Sequence, residues 1–220
     1  MATPTSVKGI SVEFDTGTNT FFGVAVEDAL KKIGSKPIGK SLLDALGATK
    51  APNNANHNVL IVPVHDGGKD AYGNTMFFDK RFTRGQIGQP SPETIKKEAT
   101  TKWQGLKMGG GVGSGAQADD WTGAENGTGS SSKLVLNTSQ YVLEGGVMIP
   151  GFILIAHELV HCLHNLLGTN KGGTKITVGN ELIKHEEVYC VGLGDYTNEP
   201  ICENSIRSEW KGIPQRATYG

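Results

Sequence analysis

The chain has 220 residues, of which 37% are hydrophobic and 20% are charged, and its formal net charge is −1. This length is enough for one well-buried domain, and the composition excludes a wholly disordered chain. A net charge so close to zero gives no reason to expect nucleic acid or an anionic membrane as a partner.

The N-terminal residues 1–20 are polar and predict a flexible segment that precedes a single domain over residues 21–220. Residues 1–13 hold one lysine, Lys8, and no apolar core, so we expect no Sec-type signal peptide. If the protein is exported, it would use a route that needs no cleaved hydrophobic signal. The longest apolar stretch, Val147–Ala156, is too short to cross a bilayer, and we expect a soluble protein.

The first half of the chain predicts two helices followed by two strands. Apolar residues fall on one helical face in Val24–Ile33, and Ser41–Leu46 predicts a second short helix. After a loop, Val59–Val62 predicts a buried strand, and Pro63 indicates that this strand ends there or lies at a sheet edge. Thr75–Phe82 alternates well enough to predict another strand.

The segment 85–132 is rich in Gly, Ser, Thr, Gln and Asp and is predicted to be a long loop with one short helix, Ser91–Trp103. Loops of this length in a compact domain are usually functional or mobile. We therefore consider it a candidate exosite or lid, with a passive loop as the alternative. The glycines of 109–116 superficially match a dinucleotide fingerprint, but no strand precedes them and no apolar helix follows, so no nucleotide site is predicted.

The second half contains the strongest helical signal. Lys133–Asn137 predicts a strand, and Gly151–Leu167 is apolar on nearly all sides, as in a core helix that ends at Gly168. Glu181–Leu193 and Glu203–Trp210 predict two further helices. This mixture of elements predicts an α+β fold.

The three cysteines are Cys162, Cys190 and Cys202. An odd number of widely spaced cysteines is not a disulfide framework. We expect free thiols in a reducing compartment, with a Cys190–Cys202 bridge as the alternative.

The core helix carries an H-E-x-x-H motif, His157 to His161. Residues four apart on a helix share a face, so both imidazoles can bind one zinc ion. Glu158 can then take a proton from water at the open position of the ion and pass it to the leaving amine. Burial of these three groups in an apolar helix would be costly without a partner, which favours a metal site over a chance match.

A catalytic zinc site needs a third protein ligand. His164 does not fit the metzincin spacing, which would require histidine where the chain has Leu167, and we interpret His164 as contacting a neighbour. Glu186 and Glu187 on the next predicted helix are better candidates, in the gluzincin arrangement. Periodicity does not decide between them.

These motifs resemble the NleD-like effectors, small zinc metalloproteases that Gram-negative pathogens inject into host cells by type III secretion. The resemblance rests on the motif helix, on Glu186–Leu193, on Glu203–Arg207 and on Arg216–Tyr219, and covers roughly the last third of the chain specifically. Clostridial neurotoxin light chains are more distantly similar, with H-E-x-x-H, a Glu-Glu doublet and Arg-x-Thr/Ser-Tyr in the same order.

The resemblance implies a role for each site residue. Glu187 would be the third zinc ligand and Glu186 would support it. Arg216 and Tyr219 would stabilise the tetrahedral transition state, because a guanidinium and a phenol can both donate to the oxyanion. Glu203 and Arg207 could anchor the C-terminal tail over the cleft.

The resemblance also implies a single zincin-like domain and a zinc endopeptidase that binds one Zn²⁺ per chain. Lys133–Asn137 would be the cleft-edge strand that pairs with an extended substrate. The protein would be a monomer, delivered with or without a secretion chaperone. It would act in the host cytoplasm on host signalling proteins, such as MAP kinases cut in the activation loop. The alternatives are a zinc peptidase toxin of interbacterial antagonism, or a non-catalytic binding module with a closed zinc site that includes His164 or Cys162.

Overall fold

The computed structural model describes residues 2–13, 22–48, 56–63, 106–109, 114–136, 141–144 and 147–219. The helices are α1 (Phe22–Gly34), α2 (Pro37–Ala48), α3 (Trp121–Glu125), α4 (Gly151–Leu167), α5 (His185–Val191) and α6 (Glu203–Ser208), with a 3₁₀ turn at Gly194–Tyr196. The strands are β1 (Thr3–Pro4), β2 (Ile10–Val12), β3 (Val59–Pro63), β4 (Leu106–Gly109), β5 (Gly115–Ala118), β6 (Ser132–Leu136), β7 (Tyr141–Glu144), β8 (Val147–Ile149), β9 (Lys175–Val178) and β10 (Glu181–Lys184).

The main sheet has the strand order β1-β2-β3-β6-β5. Strands β2, β3 and β6 are parallel, and β1 and β5 pair antiparallel at the two ends. Strands β4, β7 and β8 form a second sheet, and β9 and β10 form a hairpin. Helices α1, α2 and α4 pack against one another, and α4 also packs against β5 and β6. The described elements form an α+β domain, as the sequence predicts.

The central strand β3 explains the role of Pro63. Val59 and Ile61 are buried, as expected for a strand with neighbours on both sides. Pro63 is the last residue of β3 and pairs in register with Leu136 of β6. The prediction that the strand ends at Pro63 is confirmed, whereas an edge position is wrong.

Helices α1 and α2 contain the two predicted helices of the first half and extend them. Helix α2 begins at Pro37. Proline is well tolerated at the first position of a helix, because the N–H that it lacks would have no partner within the helix. The side chain of Glu209 accepts hydrogen bonds from the next two amides, Ile38 N at 2.9 Å and Gly39 N at 3.3 Å. A Cβ at Gly39 would lie 2.1 Å from the carbonyl oxygen of Ile33, so the close approach of the two helices requires glycine there.

The N-terminal residues differ from the flexible segment predicted for 1–20. Thr3–Pro4 and Ile10–Val12 are strands, and Ile10 and Val12 are buried in the core. The alternation in Ile-Ser-Val is too short to be recognised in a polar context, and its pairing with β3 decides its structure. Residues 14–20 lie outside the described residues.

The segment 85–132 is not the continuous loop that its composition predicts. It contains β4, β5 and α3. Strand β5 consists of Gly115, Ala116, Gln117 and Ala118, which have no apolar alternation, and it forms because it pairs with β6. The predicted elements Thr75–Phe82 and Ser91–Trp103 lie outside the described residues.

The C-terminal third agrees with the prediction at α4 and corrects it at the next element. Helix α4 spans Gly151–Leu167 and ends at Gly168, which has a left-handed φ of 72°. The predicted helix Glu181–Leu193 is wrong in its first turn, because Glu181–Lys184 pairs with β9 as strand β10 and the helix begins at His185. Apolar residues at 182 and 183 fit either structure, and the hairpin partner decides.

Two other expectations concern cysteines and membranes. Cys162, Cys190 and Cys202 are all buried free thiols, so the alternative Cys190–Cys202 bridge is not formed. Within the described part of the chain, every helix is too short or too polar to cross a lipid bilayer.

Candidate metal centre and active site

His157 and His161 lie one turn apart on the same face of α4. Their Nε2 atoms are 3.1 Å apart, and the two rings are nearly perpendicular at 87°. This geometry follows from the i, i+4 spacing, which places both side chains over one patch of the helix surface.

Glu187, in the first turn of α5, completes a triangle with the two histidines. Its Oε2 atom lies 3.3 Å from Nε2 of His157 and 3.3 Å from Nε2 of His161. Ligand atoms with such separations can all bind one zinc ion at about 2.0–2.2 Å. The carboxylate is anionic because the two histidines outweigh the effect of burial and hold the pKa of Glu187 well below its usual value.

The state of the Glu187 carboxylate fits a cation at this position. Its Oε2 atom is buried and has no hydrogen-bond partner among the described residues. A buried carboxylate oxygen without a hydrogen bond is costly, and a metal ion would remove that cost. Two imidazole nitrogens and one carboxylate oxygen form a donor set that suits zinc and leaves a coordination position open.

Glu186 lies behind His161, on the side opposite to Nε2. Its Oε1 atom accepts hydrogen bonds from Nδ1 of His161 at 2.8 Å and from Nδ1 of His164 at 2.7 Å. Its Oε2 atom accepts from the amide of Lys171 at 2.8 Å. Burial opposes ionisation, but the two histidines lower the pKa of Glu186 to about 2. Glu186 therefore orients His161, while Glu187 faces the nitrogens that could bind a metal.

His164 contacts its neighbours, as we interpreted from the sequence. It is buried, donates to Glu186, and stacks on Tyr189 with ring centroids 3.9 Å apart. Cys162, the other candidate for a closed four-ligand site, is also buried, and burial raises the pKa of its thiol to about 12. Cys190 approaches His157 from the Nδ1 side at 3.5 Å and donates to the carbonyl oxygen of His157.

Glu203, in the first turn of α6, holds the other side of His157. Its Oε2 atom accepts from Nδ1 of His157 at 2.7 Å, and the residue is 2% exposed. Burial opposes its ionisation, but His157, Arg216 and Arg207 together lower the pKa of Glu203. Each histidine of the motif thus donates its Nδ1 proton to a buried carboxylate and leaves Nε2 free to bind a metal. The sequence offers no periodic signal for the contact of Glu203 with His157.

The C-terminal tail folds back against this site. Glu203 forms ion pairs with Arg207 and with Arg216, and Arg207 donates to the carbonyl oxygen of Pro214 at 2.8 Å. Asn204 fixes the backbone of Arg216 through hydrogen bonds of 2.7 and 2.9 Å. Glu203 and Arg207 thus contact the tail, as the sequence suggests.

Arg216 and Tyr219 lie together in the folded tail. The guanidinium of Arg216 donates to the carbonyl oxygen of Tyr219 at 2.7 Å and lies 4.7 Å from the centre of its ring. Burial, followed by the negative charge of Glu187, raises the pKa of Tyr219. The phenol therefore stays protonated and can donate a hydrogen bond.

Glu158 lies between the motif helix and the edge of the main sheet. Its Oε2 atom accepts from the amide of Ala116 in β5 at 2.9 Å. Burial raises the pKa of Glu158, although the neighbouring histidines partly oppose this effect. A carboxyl group whose pKa lies closer to neutrality is better able to accept and return a proton.

Strand β5 takes the position that the sequence prediction gave to Lys133–Asn137. Strand β6, which covers most of that range, lies between β3 and β5, so β5 is the edge strand on that side of the sheet among the described strands. The correction has a simple cause: the more apolar strand is recognised in the sequence, whereas an edge strand of small residues is not.

One cavity of about 500 Å³ contains the predicted site residues: His157, Glu158, His161, Glu187, Arg216 and Tyr219. They come from α4, α5 and the tail. The fold therefore brings into one cleft residues that are separated by more than a quarter of the chain.

The chain is similar to one known protein family and to several solved structures. The model of peptidase family M91, described as effector protein, matches residues 14–219. Among solved structures, the botulinum neurotoxin type D light chain has a TM-score of 0.45 and 18% identity over 94% of this chain and 53% of that one. The serotype HA light chain has a TM-score of 0.45 and 14% identity over 91% of this chain and 56% of that one.

The chain thus spans about half the length of these light chains. No curated protein sequence matches it significantly. The family match extends over nearly the whole chain, including every residue of the cleft described above. The chain therefore belongs to the M91 family of effector metallopeptidases.

Proposed function

We propose that this protein is a zinc-dependent endopeptidase of the gluzincin type that binds one Zn²⁺ through His157, His161 and Glu187. The observation that carries the proposal is the triangle of two imidazole nitrogens and one buried carboxylate oxygen without a hydrogen bond, with sides of 3.1, 3.3 and 3.3 Å. It lies in a cavity that also holds Glu158.

Zinc, when bound, supplies a Lewis acid that polarises the peptide carbonyl and makes water more acidic. Glu158 accepts the proton of the attacking water and returns it to the leaving nitrogen. The amide of Ala116 holds one carboxylate oxygen of Glu158 in place through the 2.9 Å hydrogen bond. Glu186 and Glu203 keep the two imidazoles in the orientation and tautomer that metal binding requires.

Arg216 and Tyr219 stabilise the negative charge that forms on the carbonyl oxygen during attack. Both line the cavity, and Arg216 is held by Glu203 and by the 2.7 Å bond to Tyr219 O. Prearranged donors of this kind need no reorganisation when the charge develops, which is the source of their effect on the rate.

We expect the substitution Tyr219→Phe to lower kcat for peptide cleavage by about 10²-fold, because one donor to the oxyanion is lost. Zinc content and KM should change little, because the phenol is not a ligand and the ring is kept. Steady-state kinetics with metal analysis on the same preparation test this. An unchanged kcat, or a loss of zinc in step with the loss of activity, would show that Tyr219 has another role.

Removal of zinc should abolish peptide cleavage, and addition of one equivalent should restore it. Because the metal binds the folded state, saturating zinc should also raise the melting temperature; an excess of 100 times Kd adds about 2.7 kcal/mol of stability. Metal analysis, calorimetry and cleavage of a protein such as casein would be compared before and after chelation. Full activity in zinc-free protein would overturn the proposal.

The family description as effector protein supports a role outside the producing cell. We infer that the protein is injected into host cells, acts in the host cytoplasm as a monomer and cleaves host signalling proteins. MAP kinases cut in the activation loop are the substrates to test first, and a secretion chaperone is the partner to seek. Incubation of purified MAP kinases with the wild type and the Glu158→Gln variant tests this; cleavage of peptides but of no kinase would remove the substrate assignment alone.

A further inference from the structure

Helix α3 presents an aromatic ring and a carboxylate side by side to the cavity. Trp121 and Glu125 are four residues apart, so they share one face of the helix. Both line the cavity that contains His157 and Glu158. Trp121 is 47% exposed and Glu125 is also exposed, so both side chains are accessible to a bound molecule.

This face is held in place by the end of the motif helix. The amide of Gly127 donates to the carbonyl oxygen of Gly168 at 2.9 Å, and the amide of Asn170 donates to Ala124 O at 3.0 Å. Ser130 N donates to Asn165 O, also at 2.9 Å. Because these backbone hydrogen bonds connect α3 and the loop after it to the end of α4 and the residues that follow α4, the position of α3 relative to the metal site is set before any ligand binds.

Glycines form the part of the cavity wall that adjoins Glu125. A Cβ at Gly172 would lie 2.8 Å from Oε1 of Glu125, and φ of Gly172 is 69°, so glycine is needed there. A Cβ at Gly173 would meet nothing within 4 Å. The cavity wall is therefore close to the carboxylate of Glu125 at Gly172, whereas the space beside Gly173 is open. This open space leaves room for a side chain of a substrate.

The charges of the lining distinguish Glu125 from the other carboxylates. Four glutamates of the lining bind partners: Glu186 and Glu187 contact the histidines, Glu203 contacts His157 and two arginines, and Glu158 accepts from Ala116. The side chain of Glu125 forms no hydrogen bond or ion pair with a described residue. Asp119 and Asp120 precede Trp121 and are also exposed.

The cationic residues of the lining, as far as it is described, lie on other elements. Arg207 and Arg216 are ion-paired with Glu203, and Lys184 belongs to β10. The end of the cavity at α3 is therefore acidic, and α3 itself contributes no cationic side chain to it.

We propose that Trp121 and Glu125 form a subsite for a lysine or arginine side chain of the substrate, close to the scissile bond. The cation would lie over the indole face, the aliphatic stem would pack along the ring, and Glu125 would form the ion pair. This specificity rests on the proposed endopeptidase function, and it narrows the substrate class to chains that carry a basic residue beside the cleavage point.

The test uses the full zinc-loaded chain and a peptide library with randomised positions, and the products are sequenced by mass spectrometry. Peptides that differ only in Lys, norleucine or Glu at the selected position are then compared. We expect a preference for Lys over norleucine of about 3- to 10-fold in kcat/KM, the range for one exposed cation–π contact and one ion pair.

Variants of Trp121 and Glu125 separate the contribution of the cation–π contact from that of the ion pair. Glu125→Gln and Trp121→Leu should each lower the ratio of kcat/KM for the Lys peptide to that for the norleucine peptide. Glu125→Lys should reverse the preference, so that the Glu peptide is cleaved with a higher kcat/KM than the Lys peptide. The matched control is Asp28→Asn, which changes an exposed carboxylate of α1 outside the cavity and should keep the ratio of the wild type.

The outcomes distinguish this subsite from the proposed function. Cleavage without a basic preference, or a preference that Glu125→Gln and Glu125→Lys leave unchanged, would overturn the subsite and leave the endopeptidase in place. Failure of the zinc-loaded wild type to cleave any library member would overturn both. A basic preference that is lost in Glu125→Gln and reversed in Glu125→Lys would establish the subsite.

Discussion

Replacement of Glu158 by glutamine is expected to lower kcat for peptide cleavage by about 10²- to 10⁴-fold, the usual contribution of a general acid–base group. The amide has the same size as the carboxylate, and its oxygen can still accept the hydrogen bond from Ala116. It cannot take a proton from water or return one to the leaving nitrogen. The variant should therefore fold and bind zinc like the wild type.

The measurement pairs metal analysis with cleavage of the best library peptide. Asp28→Asn serves as the control, because it makes the same chemical change at an exposed position on α1. Cleavage at the rate of the wild type by Glu158→Gln would contradict the assignment and favour the alternative of a zinc-stabilised binding module. Loss of zinc together with activity would mean that Glu158 has a structural part in the site.

Replacement of Glu187 by alanine is expected to remove zinc and, with it, activity. Glu187 is the residue of the doublet whose carboxylate oxygen lies 3.3 Å from both Nε2 atoms. Without it, two imidazoles remain, which is fewer protein ligands than catalytic zinc sites use. The loss of zinc affinity should exceed the 10- to 100-fold typical of an outer-shell residue.

Glu186→Ala is the matched comparison, because it removes an identical side chain from the adjacent position of α5. It leaves the Nδ1 protons of His161 and His164 without their shared acceptor, so zinc affinity should fall by about 10- to 100-fold. Titration of each zinc-free variant with zinc measures both constants. A larger loss for Glu186→Ala than for Glu187→Ala would exchange the roles of the two residues.

Among the elements, the sequence predicts best those whose pattern is local. Helix α4 is recognisable because its apolar residues, its motif and the glycine at its end all lie within one segment. Strand β5 and strand β10 are not recognised, because Gly-Ala-Gln-Ala has no alternation and Glu-Leu-Ile-Lys fits a helix as well as a strand. Their structure depends on β6 and β9, which the local pattern does not contain.

By itself, the sequence determined that His157 and His161 share one helical face, with Glu158 next to the first of them, because the period of the α-helix relates residues four apart. The tertiary structure decided which glutamate of the doublet faces the Nε2 atoms of the two histidines, since that depends on where α5 begins after the β9–β10 hairpin. It also decided that Glu203 holds His157 and that Ala116 holds Glu158, because these contacts join segments 46 and 42 residues apart in the chain. No periodicity extends over such distances, and only the packing of α4 against β5 and α6 brings these groups together.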